Sequence, residues 1–315
     1  MPRANLRTTL VNLAIRGLIK PRLAACRTPL DVRKAFASTP ALAPRGVRFS
    51  RGELGGVAGE WAAAKQDATA FGAMLYLHGG GYAGMSARTH RAITGGFARR
   101  GLRVFAPDYR LAPEHRFPAA LDDAVAAWRA LRAEVQGPIF VAGDSAGGGL
   151  AASVLLRLRD LGEAGPTGAC LFSPWTDLAV TGESLATNRD RDPMQVESAF
   201  RMLAAAYLGA ADPRLPMASP IYGDLTGLPP LLAFVGDAEI LFDDARRLVE
   251  RAALAGVAAE LKIYPDMPHA WPLLGPMVPE AGQALDEAIG FMQAAALRAA
   301  IKVEAPALGR LAASA

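Results

Sequence analysis

The chain has 315 residues, 51% of them apolar and 20% charged. That balance belongs to compact globular proteins and excludes the low-hydrophobicity, high-charge regime of disordered chains. The formal charge is +4 and the pI about 9.3, yet the 34 basic residues are scattered without any long Lys/Arg run, so no nucleic-acid face is expected. Two cysteines, Cys26 and Cys170, supply neither a disulfide framework nor a metal knuckle and fit a reducing cytoplasm.

The stretch from Leu6 to Ile19 is interrupted by Arg7 and Arg16 and lacks a small-residue cleavage site, so it does not read as a signal peptide. No stretch reaches the ~18 uninterrupted apolar residues of a membrane span, and no stable membrane insertion is expected. Residues 1–45 read as helical: Leu6, Leu10 and Leu13 share a face, and Pro21 and Pro29 punctuate the segment. A pair of short helices packed on the body is expected there, in preference to a membrane-surface anchor.

From Val47 onward strands alternate with helices. Val47 to Ser50 and Val57 to Ala62 open the series; Ala73 to Leu77, Arg103 to Ala106, Ile139 to Ala142, Ala169 to Phe172, Leu231 to Val235 and Glu260 to Tyr264 follow as short apolar runs. Runs apolar on both faces suit a parallel sheet covered by helices on each side, so the fold class is α/β and doubly wound. Helical patterns lie between them, such as Leu121, Val125, Trp128 and Leu131, then Leu150, Val154, Leu155 and Leu158. Residues 176–227 break the rhythm with a helical stretch from Val196 to Leu208 and no clear strand, an insertion long enough to be a lid or cap. The Ala-rich tail after about Lys302 is expected to be poorly ordered.

Gly143-Asp144-Ser145-Ala146-Gly147 follows the strand Ile139 to Ala142 and opens a helix beginning near Gly148. A serine hydroxyl attacks only when it projects from a tight turn toward a base, and flanking glycines keep neighbouring backbone clear. The bare pattern arises by chance roughly 0.1 times per shuffled chain of this composition, so the strand, turn, helix context carries the assignment of Ser145 as nucleophile. A phosphate-cradling turn is the bland alternative. Against it, no Lys-Ser/Thr pair of a P-loop and no G-x-G-x-x-G after the first strand is present.

His78-Gly79-Gly80-Gly81-Tyr82 follows the strand Ala73 to Leu77. Ester cleavage puts negative charge on the carbonyl oxygen, and backbone N–H groups reach it where side chains do not obstruct them. Gly80 and Gly81 are expected to donate, with Ala146 as a third donor and Gly79 chiefly allowing the turn. Together the four form the expected oxyanion hole.

Four histidines occur, at 78, 90, 115 and 269. His78 belongs to the glycine loop, and His90 and His115 precede Ser145, whereas the hydrolase order is nucleophile, acid, histidine. His269, after the last strand, is therefore the expected base. The acid belongs just past Leu231 to Val235, where Asp237, Glu239, Asp243 and Asp244 lie. The last two read as the first turn of a helix, favoured there by its dipole. Glu239 and Asp237 remain, and spacing does not separate them.

Together these motifs resemble the hormone-sensitive-lipase-like carboxylesterases of the α/β-hydrolase superfamily. The likeness spans His78 to His269 and includes the block Asp108-Tyr109-Arg110-Leu111-Ala112-Pro113-Glu114-His115 with Phe117-Pro118-Ala119-Ala120. The resemblance implies an acid at Glu239, in a G-x-x-D/E-P-L pattern with Ile240 where proline is usual and Leu241 matching; Asp237 stays the second candidate. It implies an α/β-hydrolase fold over 46–315, with a helical cap built from 1–45 and the 176–227 insertion. The Tyr109 to Ala120 block is expected to brace the oxyanion loop, with Arg110 and Glu114 as internal partners. The implied activity is hydrolysis of short- to medium-chain carboxylic esters through an acyl-enzyme on Ser145, with no cofactor or metal. The expected partner is a small-molecule ester, and a homo-oligomer is compatible with the sequence. A binding member without catalysis is the rival reading, opposed by His269; an amidase, lactonase or carbamate hydrolase would use the same machinery.

Overall fold

The computed structural model describes residues 5–65 and 70–312, with side chains as far as residue 301. Three helices open the chain, where a pair was expected: α1 (Leu6–Leu18), α2 (Lys20–Ala25) and α3 (Pro29–Ala37). Asn5 caps α1 by accepting from the Thr8 N–H, and a Thr28/Asp31 capping box with Pro29 in the first turn starts α3. The Leu6, Leu10 and Leu13 stripe faces outward, 77%, 58% and 60% exposed, while Thr8, Ile15 and Leu23 are buried. The periodicity is real but marks the outer face, because α1 lies over the cleft with its Ile15 side inward.

All eight expected strands form. They are β1 (Val47–Leu54), β2 (Val57–Ala64), β3 (Gly72–Leu77), β4 (Leu102–Pro107), β5 (Ile139–Asp144), β6 (Gly168–Phe172), β7 (Leu231–Gly236) and β8 (Ala259–Tyr264). Their order in one sheet is β1-β2-β4-β3-β5-β6-β7-β8. β1 and β2 form an antiparallel hairpin and β2 pairs antiparallel with β4; every later pairing is parallel. Alternation along the strands splits the core in two. Leu75, Leu77, Val141 and Leu171 pack with Trp128 and Leu150, from α5 (Ala119–Glu134) and α6 (Ala146–Asp160). Met74, Tyr76, Phe140 and Phe172 pack on the other face with Phe97 of α4 (Arg91–Ala98) and Leu285 and Met292 of α10 (Pro279–Ala312). Burial on both faces is why β3 and β5 to β7 are almost uninterruptedly apolar.

Chain order and sheet order part company at β3. The chain leaves β3 for β4 on one side and returns to β5 on the other, so the carboxyl ends of β3 and β5 border a topological switch point, where open α/β sheets place their crevices.

The 176–227 insertion holds α7 (Ser184–Thr187) and α8 (Glu197–Leu208) and no strand. It is tied down by the two acids expected to serve only the dipole of α9 (Phe242–Leu254). Both do open α9, but both are buried. Asp244 Oδ1 accepts from the Thr176 and Asp177 N–H groups at 2.8 and 2.9 Å, and Asp243 Oδ2 accepts from the Ser184 N–H at 2.9 Å. Burial, with the charge of Asp177, pushes the Asp244 carboxyl up to about 8. On the other side Tyr207 of α8 stacks on Tyr82 with ring centroids 3.8 Å apart. The Ala-rich tail continues α10 as helix to Ala312, and its last three residues lie outside the described ones. Among the described residues no helix is long and apolar enough to cross a membrane.

Candidate active site

Parallel register places Leu77 opposite Gly143, so the His78-to-Tyr82 loop leaves β3 directly beside the turn that leaves β5. At that turn Ser145 adopts φ 53° and ψ −124°, a conformation that costs a side-chain-bearing residue about 1–3 kcal/mol. The surroundings hold it there: the Ser145 N–H donates to the Phe172 carbonyl at 2.9 Å, and its own carbonyl accepts from Trp175 at 2.8 Å. Gly147 is required by close approach, since a Cβ there would run into the Leu77 and His78 carbonyls. α6 begins at Ala146, two residues before the expected start, so its amino end and partial positive charge sit at the serine.

Ser145 Oγ lies 2.8 Å from His269 Nε2, and His269 Nδ1 lies 2.7 Å from Glu239 Oε2. A carboxylate facing Nδ1 fixes the proton on that nitrogen and leaves Nε2 free to accept from the serine hydroxyl. The three side chains are buried. Burial opposes protonation of the His269 ring, but the hydrogen bond and charge of Glu239, with Asp192 and Asp144 farther off, outweigh it and raise its pKa above 6.5. Asp237 faces elsewhere. It accepts from the Asp266 N–H at 2.8 Å and pairs with Arg191 at 3.2 Å.

Gly80 and Gly81 line the cleft with Ser145 and His269. Among the described residues, the N–H groups of Gly80, Gly81 and Ala146 have no protein acceptor. Gly79 differs. Its N–H points to the Asp144 carboxylate at 3.1 Å and the His90 ring at 3.2 Å, away from the cleft, and a Cβ there would strike the same carboxylate. Gly79 therefore anchors the loop and is not available to an oxyanion. The cleft above is largely apolar, about 310 Å³ in volume, and bounded by Ile15, Ile19, Phe200, Leu203 and Leu273.

A hydroxyl, imidazole and carboxylate in line, facing unengaged amides in an apolar cleft, can carry out acyl transfer through a covalent intermediate. The comparisons with known proteins agree. Residues 74–273 match the family model described as alpha/beta hydrolase fold. The chain belongs to the α/β-hydrolase family. Within it the chain is hormone-sensitive-lipase-like: it is 42% identical, with a TM-score of 0.83, to a crystal structure of an esterase from the bacterial hormone-sensitive lipase family, covering 93% of this chain and 98% of that one. It is similar to EstE5 from a crystal soaked with p-nitrophenyl butyrate, with TM-score 0.87 and 39% identity over 93% of this chain and 99% of that one. An acetyl-hydrolase of Streptomyces hygroscopicus is 43% identical over 246 residues, 77% of this chain and 81% of that protein. An esterase of Acinetobacter venetianus is 37% identical over 272 residues, 85% and 88% respectively.

Several supports of this hydrolase's site were not found from sequence. Ser173, at the end of β6, donates to Glu239 Oε1 at 2.7 Å and accepts from the Ala270 N–H at 3.1 Å, so it ties the carboxylate to the histidine loop. Its place between the strands carrying Ser145 and Glu239 was the available signal. Asp144, seen in sequence only as the variable position of the pentapeptide, also accepts from the Tyr76 hydroxyl at 2.7 Å and sits 3.1 Å from His90. Burial opposes its ionisation, but the His90 ring and the Tyr76 hydroxyl beside it hold its pKa below 3.8. Burial, with His90 nearby, lowers His78 to about 3, so that ring is neutral; it stacks on Tyr109 at 4.2 Å. Tyr109 braces the loop as expected, its hydroxyl donating to the His78 carbonyl at 2.6 Å. The expected internal pairing of Arg110 with Glu114 does not occur. Arg110 pairs with Asp123, and Glu114 with Arg33 of α3, which also donates to the Ala83 carbonyl. The partners come from helices that sequence spacing does not place.

Gly147→Ala should reduce turnover of p-nitrophenyl acetate by about 10²-fold, the cost of an ångström-scale misplacement of the reacting groups, with an unchanged far-UV circular dichroism spectrum. Wild-type turnover would show that the loop can move aside freely.

Proposed function

We infer that this carboxylic ester hydrolase works through Ser145 as nucleophile, His269 as general base and Glu239 as the acid that orients the imidazole. The observation that carries the reading is the continuous hydrogen-bonded line from Ser145 Oγ to His269 to Glu239. Ser145 Oγ attacks the ester carbonyl while its proton passes to Nε2. The oxyanion develops toward the Gly80, Gly81 and Ala146 amides, each worth roughly 3–4 kcal/mol in comparable sites. The imidazolium, stabilised by Glu239, returns the proton to the departing alcohol. Water activated by the same nitrogen then cleaves the acyl-enzyme and restores the serine.

Short- to medium-chain acyl groups are the proposed substrates. The 310 Å³ cleft lies at the lower end of the roughly 300–1,000 Å³ typical of small-molecule sites, and the relatives include an acetyl-hydrolase and an esterase soaked with a butyrate ester. Residues 1–45 and 176–227 are proposed to form the cap, because Ile15 and Ile19 of the first and Phe200 and Leu203 of the second bound the cleft. A cytoplasmic location is supported by two cysteines that form no disulfide.

Ser145→Ala should abolish ester hydrolysis in a protein that unfolds at the wild-type temperature, and Glu239→Gln should cost orders of magnitude more turnover than Asp237→Asn. Wild-type activity in the first, or a larger loss at Asp237, would overturn the assignment. His269 must be neutral to accept the serine proton, and its pKa is raised. Activity is therefore present above that pKa and lost as pH falls through it, so the acid limb of the kcat/KM profile, which reports the free enzyme, should have its midpoint above 6.5. A midpoint below 6.5 would show that burial outweighs the Glu239 contact in setting the pKa of the ring. Across p-nitrophenyl esters from acetate to palmitate, kcat/KM should peak at short to medium length; a palmitate optimum would refute the size argument.

A further inference from the structure

Four consecutive carbonyls at positions 189 to 192 are engaged by two cations from the amino-terminal helices. Arg16 donates to the Asp190 carbonyl at 2.8 Å and to the Arg191 carbonyl at 2.7 Å. Lys20, one helical turn on, donates to the Arg189 carbonyl at 2.8 Å and to the Asp192 carbonyl at 2.6 Å. Carbonyls aligned in this way repel one another, and a pair of cations at i and i+4 neutralises that repulsion and sets the shape of the turn. These two basic residues of the amino-terminal helices thus have an internal task.

The same turn grips the proposed acid. Asn188 Nδ2 donates to the Glu239 carbonyl at 2.9 Å and to the Asp237 carbonyl at 3.1 Å. Asp192 is fully buried, and its Oδ2 accepts from the Ile240 N–H at 2.9 Å while Oδ1 accepts from Met194 and Gln195 at 2.8 Å each. The Glu239 carbonyl and the Ile240 N–H belong to one peptide unit, which is therefore held at both ends. On the same helix, Asn12 donates to the Asp266 carbonyl at 2.7 Å, in the loop that carries His269.

We propose that Arg16 and Lys20 are positioning residues for the Glu239–His269 pair, acting through the 188–192 turn, so that the amino-terminal helices set the geometry of the acid as well as walling the cleft. The inference rests on Glu239 being the acid. A wall alone would influence only substrates long enough to touch it. A clamp on the acid influences every substrate, because proton transfer to and from Ser145 depends on the orientation of the ring.

p-Nitrophenyl acetate, whose acyl group is one methyl, separates the two. Arg16→Ala/Lys20→Ala should lower its kcat about tenfold or more, with KM changed less than about twofold; thermal unfolding reports whether the variant is folded at the assay temperature. Lys20→Arg, which can still reach both carbonyls, should recover most of kcat when Arg16 is retained. In a Glu239→Gln background the double substitution should cost almost nothing further, because the acid it positions is gone. A kcat for the acetate ester within twofold of wild type, with KM raised only for longer esters, would overturn the clamp, as would a full additional loss in the Glu239→Gln background. Near-normal kcat in Glu239→Gln alone would instead sink the underlying assignment of the acid. Where the double variant does not fold, Lys20→Ala reads the same split between kcat and KM.

Discussion

The parallel register of β3 against β5 is the constraint on which the site depends. It brings the glycine loop and the serine turn to one sheet edge at the switch point, with spacing so tight that the Gly147 position has no room for a Cβ. The strained backbone of Ser145 persists because adjacent strand ends over-determine it: Phe172 and Trp175 hold its amide and carbonyl from β6 and the residues after it. The remaining groups arrive in sheet order. β6 leads into Ser173, β7 into the Glu239 loop and β8 into the His269 loop, so hydrogen bonds across neighbouring strand ends join these three side chains.

A second layer of buried polar groups keeps that edge rigid. Asp144 binds Tyr76, His90 and the Gly79 amide, and so fastens the glycine loop from behind to the strand that leads to Ser145. Asp244 and Asp243 fasten the insertion to α9, and Asn188 and Asp192 fasten it to the Glu239 loop. Buried carboxyl groups are tolerable only when hydrogen-bonded, and those of Asp144, Asp192, Asp243 and Asp244 each accept from at least one backbone N–H. The 176–227 insertion and the carboxyl edge of the sheet in this carboxylesterase are consequently one bonded structure, with Arg16, Lys20 and Arg33 carrying the connection into the amino-terminal helices.

Much of this was readable in advance. The strands were read within a few residues, β3 and β5 to β7 because burial on both faces writes a short apolar run, and Ser145, Glu239 and His269 were singled out by local turns, order and resemblance. The errors share a cause. The Leu6, Leu10 and Leu13 stripe has sound helical spacing but faces outward. Gly79 sits within a run of three similar residues, and only the approach of Asp144 distinguishes its amide from those of Gly80 and Gly81. Arg110 and Glu114 are near neighbours in sequence with partners elsewhere.

What residue order determined was local: which segments become strands or helices, where the tight turn at Ser145 lies, and that His269 follows the last strand, since these follow from periodicity, glycine placement and chain sequence. Long-range contacts decided the rest. The choice of Glu239 over Asp237 in geometry, the withdrawal of the Gly79 amide from the cleft, and the grip of Arg16 and Lys20 on the 189–192 carbonyls depend on distances between segments far apart along the chain. A polar side chain carries no mark of its partner, and the packed fold alone brings the two within hydrogen-bonding reach.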